Sequence, residues 1–328
     1  MKRTCLSVAL LLSTLFVAVG QQPFKRTLKL MGSRFDITVV ANDSVMANGY
    51  MDRAIQEISR IEHLISSWDA TSQTSAINRN AGIMPVVVDA ELFSLIQRSI
   101  QLSKVTDGAF DISYASMDKI WIFDGSMSAM PTPEAIQSSV AKVGYQNILL
   151  DSAASTVFLK QKGMKIGFGA IGKGYAADKA KDVLMAEGVT AGIINASGDM
   201  NTWGQQPSGQ AWKVAITNPM DKNKAFAHLP ITNGAVVTSG NYEKRVTFNG
   251  ITYSHIIDPR TGYPATGILS VTVFAPKAEL ADALATAVFV MGQESGLNRI
   301  NQLPGVECII IDDQGKVFTS DNIQIDTQ

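Results

Sequence analysis

Apolar positions along the chain alternate between a helical and a strand period. Met51, Ala54, Ile55, Ile58, Ile61 and Ile65 recur at three- and four-residue steps, which predicts an amphipathic helix with Asp43 or Ser44 as its N-cap. Before it, Thr27 to Val40 reads as strand, interrupted at Met31-Gly32-Ser33, and after it a polar loop runs from Ser66 to Gly82. A second amphipathic helix opens at Asp89, carries Leu92, Leu95, Ile96, Ser99 and Leu102 on one side, and stops at Asp107-Gly108. Thr132-Pro133 starts a third, shorter one that ends near Gly144, as Pro at the first helical position and Gly past the last would suggest. From Asn147 the pattern shortens to strands: Ile148 to Leu150, Thr156 to Lys160 and Met164 to Phe168. A glycine-rich loop, a helix from Tyr175 to Glu187 and a strand from Ala191 to Ala196 follow. Asn249-Gly250 between Arg245–Phe248 and Ile251–Ile257 is a hairpin signal, Glu279 to Met291 an apolar helix, and Val306 to Ile311 a buried strand. Long helices first and strands later predict an α+β fold rather than a regularly alternating parallel sheet.

Composition narrows the classes. The chain has 328 residues, 46% hydrophobic and 17% charged, with a formal net charge of -1, enough for one large domain or two modest ones. No repeat, low-complexity segment or linker divides it. The absence of a basic excess argues against nucleic acid as a partner. Met1 to Gly20 stands apart: Lys2 and Arg3 precede an apolar run from Leu6 to Val19, and Ala18-Val19-Gly20 puts small residues at a cleavage site near Gln21. This reads as a secretory signal peptide, its apolar run shorter than the roughly 20 residues of a membrane span. No cysteine follows the run to take a lipid, and Cys5 leaves with the signal. Cys308 is then the only cysteine of the mature chain, so no internal disulfide forms, and its apolar strand makes it an inert core residue. The mature chain, residues 21–328, is expected to be one exported domain without a stable membrane span.

Three stretches could carry chemistry. His255, one of only three histidines, precedes Asp258-Pro259 at the end of a strand-like run that enters a Pro-, Gly- and Thr-rich turn. Strand ends and the loops after them commonly mount sites, although such a turn also closes a hairpin with Asp258 bonding its own backbone. Gly167, Gly169 and Gly172 spell G-x-G-x-x-G between strand and helix, and Gly172-Lys173 resembles part of a P-loop, but Gly174 stands where that loop carries Ser or Thr. Whichever reading is taken, backbone N–H groups and a lysine at a helix start favour a phosphate or pyrophosphate. Asp282 and Thr286 lie four residues apart on one helix face, hard oxygen ligands suited to Mg2+. No His/Cys spacing suggests zinc, and no G-x-S-x-G elbow is present. A divalent metal, a pyrophosphate cradle and a histidine together suit phosphoryl or nucleotidyl transfer.

In these motifs, taken in order, the chain resembles the ApbE family, the FAD:protein FMN transferases. The motifs are Met31-Gly32-Ser33, Ser67-Trp68, Asp107-Gly108-Ala109-Phe110-Asp111, Gly169 to Tyr175 with Asp178, Ser254 to Gly262, and Asp282-Ala283-Leu284-Ala285-Thr286. The resemblance implies an ApbE-like (T-fold-like) mixed sheet core with packed helices and a ligand cleft between two halves. It implies Mg2+-dependent passage of FMN from FAD to a Ser or Thr hydroxyl of an exported protein, such as a subunit of a flavin-dependent redox complex, in the periplasm. By motif, Met31, Trp68, Ala109, Phe110 and Asp111 would line the flavin and adenosine pockets. Gly167, Lys173, Asp178 and Ile257 would lie against the FAD, and Ala170, Asp282, Ala285 and Thr286 would hold the metal, the alanines through backbone oxygen. His255 would be the general base, with Asp258 beside it. Two departures stand out. Many members have Asp where this chain has Gly167, and the family's Gly-Gly-Asp loop is Ser197-Gly198-Asp199. An Mg2+-dependent FAD pyrophosphatase would use the same residues with water as acceptor. A flavin-binding protein without turnover would need neither Asp282 nor His255, and a Rossmann oxidoreductase would leave both unexplained.

Overall fold

A computed structural model describes residues 20–241 and 245–323, with only the backbone described at 217–218 and 221–225. The expected signal peptide falls on residues 1–19, outside the described residues, apart from Gly20. The first strands, β1 (Gln22–Leu30) and β2 (Ser33–Ala41), pair across the Met31-Gly32 turn and lead into α1 (Ser44–Ile65), whose N-cap Asp43 accepts a hydrogen bond from the Met46 N–H. Next come α2 (Gln73–Arg79), β3 (Val86–Val87), α3 (Ala90–Val105) and α4 (Pro133–Ser139). The hairpin β4 (Ile148–Asp151) and β5 (Thr156–Leu159) joins β3 in a small sheet, followed by α5 (Gly172–Ala186). Strands β6 (Gly192–Ala196), β7 (Asp199–Trp203), β8 (Trp212–Asn218), β9 (Asp221–Ile231), β10 (Gly234–Gly240), β11 (Arg245–Phe248), β12 (Ile251–Ser254) and β13 (Ile268–Ala275) come before α6 (Ala278–Met291). The described chain closes with α7 (Gln293–Asn301), β14 (Glu307–Asp312) and β15 (Val317–Thr319).

The class is α+β. The main sheet has the order β1-β2-β6-β7-β10-β13-β14-β15, and each of its pairings is antiparallel, so it is not mixed. Short turns such as Met31-Gly32 and Ser197-Gly198 join several neighbours directly, and a tight turn can return the chain only in the antiparallel sense. Helices α1, α5 and α6 lie on one face. On β14, Cys308 and Ile310 point into the core under these helices, while Ile309 and Ile311 pack with Phe226, Ala227 and Leu229 of the β8–β9 hairpin. Two-sided cover explains why this strand is a continuous apolar run instead of alternating. Cys308 is a buried free thiol whose acid is pushed up to about 12 by burial, which keeps it protonated in the core.

The Asn249-Gly250 turn joins β11 to β12 with Phe248 opposite Ile251, and both turn residues have positive φ, 51° and 80°. That strand stops at Ser254, three residues earlier than its apolar pattern suggested. Met164–Phe168 is not a strand. Its Ile166 exchanges two hydrogen bonds with the Asn78 amide, the Lys165 N–H donates to the Ser116 hydroxyl and the Gly167 N–H to the Ile112 carbonyl, so side chains replace a ladder partner. The polar stretch Ser66–Gly82 contains α2, capped by the Ser72 hydroxyl on the Ser75 N–H. Among the described residues no helix is long and apolar enough to cross a membrane.

Candidate active site

The floor of the site is where α5 meets α6. Gly174 makes that meeting possible: a Cβ there would collide with the Ala278 carbonyl oxygen and lie 2.9 Å from the Asp282 Cβ. Its bare N–H donates to the Asp282 carboxylate at 3.1 Å. Gly174→Ala should therefore destabilise the protein by about 1–3 kcal/mol or more, read as a lower thermal midpoint; an unchanged midpoint would mean the helices can part without cost.

Asp282 is 4% exposed on a helix that is otherwise almost wholly apolar and buried. Burial, and then the neighbouring Asp199 carboxylate, push its acid up to about 7, against the pull of the Lys173 ammonium. The Lys173 ammonium is ion-paired with buried Asp199, and although burial opposes its charge, Asp199 and Asp282 hold it above the ordinary lysine value. Once both acids are ionised, two carboxylates and one ammonium leave one negative charge in excess, which a cation would neutralise. The Gly174 N–H is the only hydrogen-bond donor to Asp282 among the described residues, which leaves lone pairs for a metal. Thr286, one turn along α6, and Ala170, in the loop before α5, share the same cleft. The donor set is one carboxylate, one hydroxyl and main-chain carbonyls, which fits a hard cation such as Mg2+. Among the described residues no group of three or more His, Cys, Asp or Glu is assembled.

Above this floor opens a cleft of about 600 Å³. One wall is the segment 109–121, the other the ends of β10 and β12 with the turn after them. His255 faces the cleft from that turn, and its backbone is fixed on both sides. The Ser254 N–H donates to the Ala265 carbonyl, the Ala265 N–H to the Ile256 carbonyl, and the Ile256 N–H to the Ser254 hydroxyl. Ser254 itself is fully buried.

Nine of the residues expected at the site line this cleft: Ala109, Phe110, Asp111, Ala170, Lys173, His255, Ile257, Asp282 and Thr286. The Asp111 side chain is spent on structure. Its carboxylate accepts from the Ser113 N–H and hydroxyl and from the Tyr145 N–H, and burial raises its acid.

Six residues lie off the cleft walls. Asp258 grips its own turn: its two oxygens bond the Arg260 guanidinium at 2.9 Å each, and one also accepts the Arg260 N–H. Asp178, expected against the FAD, instead caps α6, accepting from the Ala278 N–H at 2.8 Å and the Glu279 N–H at 2.9 Å, with the Asn201 amide as a third donor. Burial pushes its acid up to about 6. It fixes the helix that carries Asp282. Ala285 is fully buried within α6. Met31 holds the β1–β2 turn in place by donating its N–H to Glu62 of α1. Trp68 is 84% exposed, and its ring lies under the ammonium of Lys119, a cleft residue. Gly167 is buried behind the wall, where a Cβ would meet the Ala115 Cβ at 3.1 Å.

Sequence reasoning did not assign Asp199, Tyr114 or Trp121 to the site, and all three line the cleft. Asp199 carried a signal, the Ser-Gly-Asp loop, but its pairing with a lysine 26 residues earlier is tertiary. Trp121 is buried with its indole N–H on the Gly262 carbonyl, tying the 109–121 wall to the turn that presents His255.

Comparisons with known proteins agree with this geometry. The model of the ApbE family matches residues 31–310. A Klebsiella pneumoniae protein named FAD:protein FMN transferase is 34% identical over 284 residues, covering 86% of this chain and 87% of the relative. One of the same name from Treponema pallidum is 34% identical over 277 residues, covering 80% and 76%. Among solved structures, the ApbE protein of Thermotoga maritima superposes with a TM-score of 0.83 at 30% identity, over 92% of this chain and 97% of that one. The apo flavinyl transferase ApbE of Pseudomonas stutzeri gives 0.81 at 25% identity, over 94% and 97%. With the family model spanning most of its length and relatives this similar, the chain belongs to the ApbE family.

Proposed function

We propose that this protein transfers FMN from FAD to a Ser or Thr hydroxyl of an exported acceptor protein, with Mg2+, and releases AMP. One observation carries the reading: a buried carboxylate in charge excess, Asp282, opens on the same cleft as His255, next to an ammonium, Lys173. Family membership and the relatives' names support the flavin chemistry.

Asp282 and Thr286, with the carbonyls of Ala170 and Ala285, are the residues that would hold Mg2+. When bound, the ion would draw off negative charge that builds on the pyrophosphate oxygens. Lys173 supplies a fixed positive charge at the same end of the cleft, aimed by Asp199. Ala109 and Phe110 offer an apolar wall for a ring system, and the exposed indole of Trp68 at the rim can stack on another. His255 takes the proton of the acceptor hydroxyl as its oxygen bonds the FMN phosphorus; the P–O bond to the AMP phosphate breaks, and AMP leaves with that electron pair. Asp178 acts at one remove, by fixing the start of α6.

The Met1–Gly20 leader would export the chain, to the periplasm if the host has one, and N-terminal sequencing of native protein should read at or near Gln21 rather than Met1. The transfer itself is tested by following AMP. Its release from FAD and Mg2+ should be much faster with an acceptor peptide than without. Equal release of AMP and free FMN in both cases would make the enzyme a pyrophosphatase.

A further inference from the structure

Gly167 is buried behind one wall of the cleft, and the Tyr114 side chain occupies the space in front of it. A Cβ at Gly167 would lie 3.5 Å from the Tyr114 hydroxyl oxygen, and one at Gly169 would collide with it. The hydroxyl accepts the Gly169 N–H at 3.2 Å, so its own proton must be donated elsewhere. Among the described residues no acceptor takes that proton. Tyr114 and Gly169 both line the cleft, beside Ala170, Lys173 and Asp282. An ordinary phenol keeps its proton at neutral pH, so the hydroxyl has a hydrogen bond to donate.

We propose that the Tyr114 hydroxyl binds FAD directly, donating its hydrogen bond to a phosphate oxygen of the pyrophosphate. This rests on the FAD-transfer reading and adds a substrate contact to it. The phenol on this wall offers a donor in the same cleft as the Lys173 ammonium, and phosphate oxygens are the acceptors that a lysine would draw to that end. Tyr114 is then a binding residue, and its contribution belongs to the phosphates and not to the ring.

Tyr114→Phe removes only the oxygen, and the Gly169 N–H it leaves is exposed and can turn to water. The test is flavin fluorescence titration of wild type and Tyr114→Phe with FAD and with riboflavin, both with Mg2+ present. Removing a hydrogen bond to a charged group should weaken FAD binding roughly 10–100-fold. Riboflavin, which has no phosphate, should bind both proteins alike. Equal FAD affinity in the two proteins would overturn the proposal. So would a parallel loss for FAD and riboflavin, since Tyr114 would then only buttress the 167–172 loop. A wild-type protein that binds neither flavin would sink the transferase reading and the Tyr114 contact together, a failure the wild-type curve shows by itself.

Discussion

Asp282→Asn should abolish FMN transfer and, at pH 8 without metal, raise the thermal midpoint of the protein. The substitution keeps the shape and leaves an oxygen to accept the Gly174 N–H, so α5 and α6 still pack. It removes the charge a cation needs. The stability effect follows from the sign of the acid's shift. In the folded protein Asp282 holds its proton up to about pH 7, against an ordinary value of 3.8. Between these values the folded state binds more protons than the unfolded chain, so stability falls as pH rises through that window and stays lower above it. Each pKa unit corresponds to about 1.4 kcal/mol, so the buried charge costs the metal-free fold on the order of a few kcal/mol. Asn does not titrate and avoids that cost. The gain should therefore be largest above about pH 7 and vanish in acid. Mg2+ should raise the midpoint of wild type and not of the variant. Transfer at near wild-type rate in low Mg2+, or a midpoint that Mg2+ still raises, would show that Asp282 is not a ligand.

His255→Ala should cut FMN transfer by about 10²–10⁴-fold, the usual worth of a positioned base, while FAD and Mg2+ bind as before. A Ser or Thr hydroxyl holds its proton tightly and needs a group to take it as the new P–O bond forms. Binding FAD would need no such group, because ring contacts, Lys173 and a cation held at Asp282 would supply the ground-state affinity. The loss should thus fall on kcat and leave the affinity for FAD alone, the pattern of an interaction made only in the transition state. His255 is an exposed residue on a tethered turn, and the thermal midpoint of the variant separates loss of the base from loss of the fold. Unchanged transfer would remove the histidine from the mechanism. Asp258 would be a poor successor, since both its oxygens are bound to Arg260 outside the cleft.

What the chain revealed by itself was mostly local. The period of Met51 to Ile65 and the Asp43 cap define α1, because an amphipathic helix on a core writes its buried face into the sequence. The Asn249-Gly250 turn was legible for the same reason: its positive φ values need those residues. Met164–Phe168 misled because apolar alternation reports burial on one side and not who takes the backbone hydrogen bonds; here Asn78 and Ser116 do. Asp282 and Thr286 stood out as a polar pair on an apolar helix, whereas the Asp199 partner of Lys173 lies on another element and leaves no spacing to find. Asp178 and Asp258 show the limit of motifs. Their position in an ordered pattern marks them, but the fold makes one a helix cap, and the other the turn clamp that the Pro- and Gly-rich sequence also allowed. Tyr114 carried no motif; its place emerges only when the 109–121 segment is laid against the Gly167–Gly172 loop.

FMN should end on a protein hydroxyl, and intact-mass spectrometry of an acceptor reads that bond directly. An exported flavin-free protein is incubated with this enzyme, FAD and Mg2+, then denatured and weighed, and its peptides are sequenced. The acceptor should gain one FMN, resistant to denaturation and mapped to a Ser or Thr, absent when Asp282→Asn or His255→Ala replaces the wild type. An acceptor of unchanged mass, with FAD converted to free FMN and AMP, would contradict it.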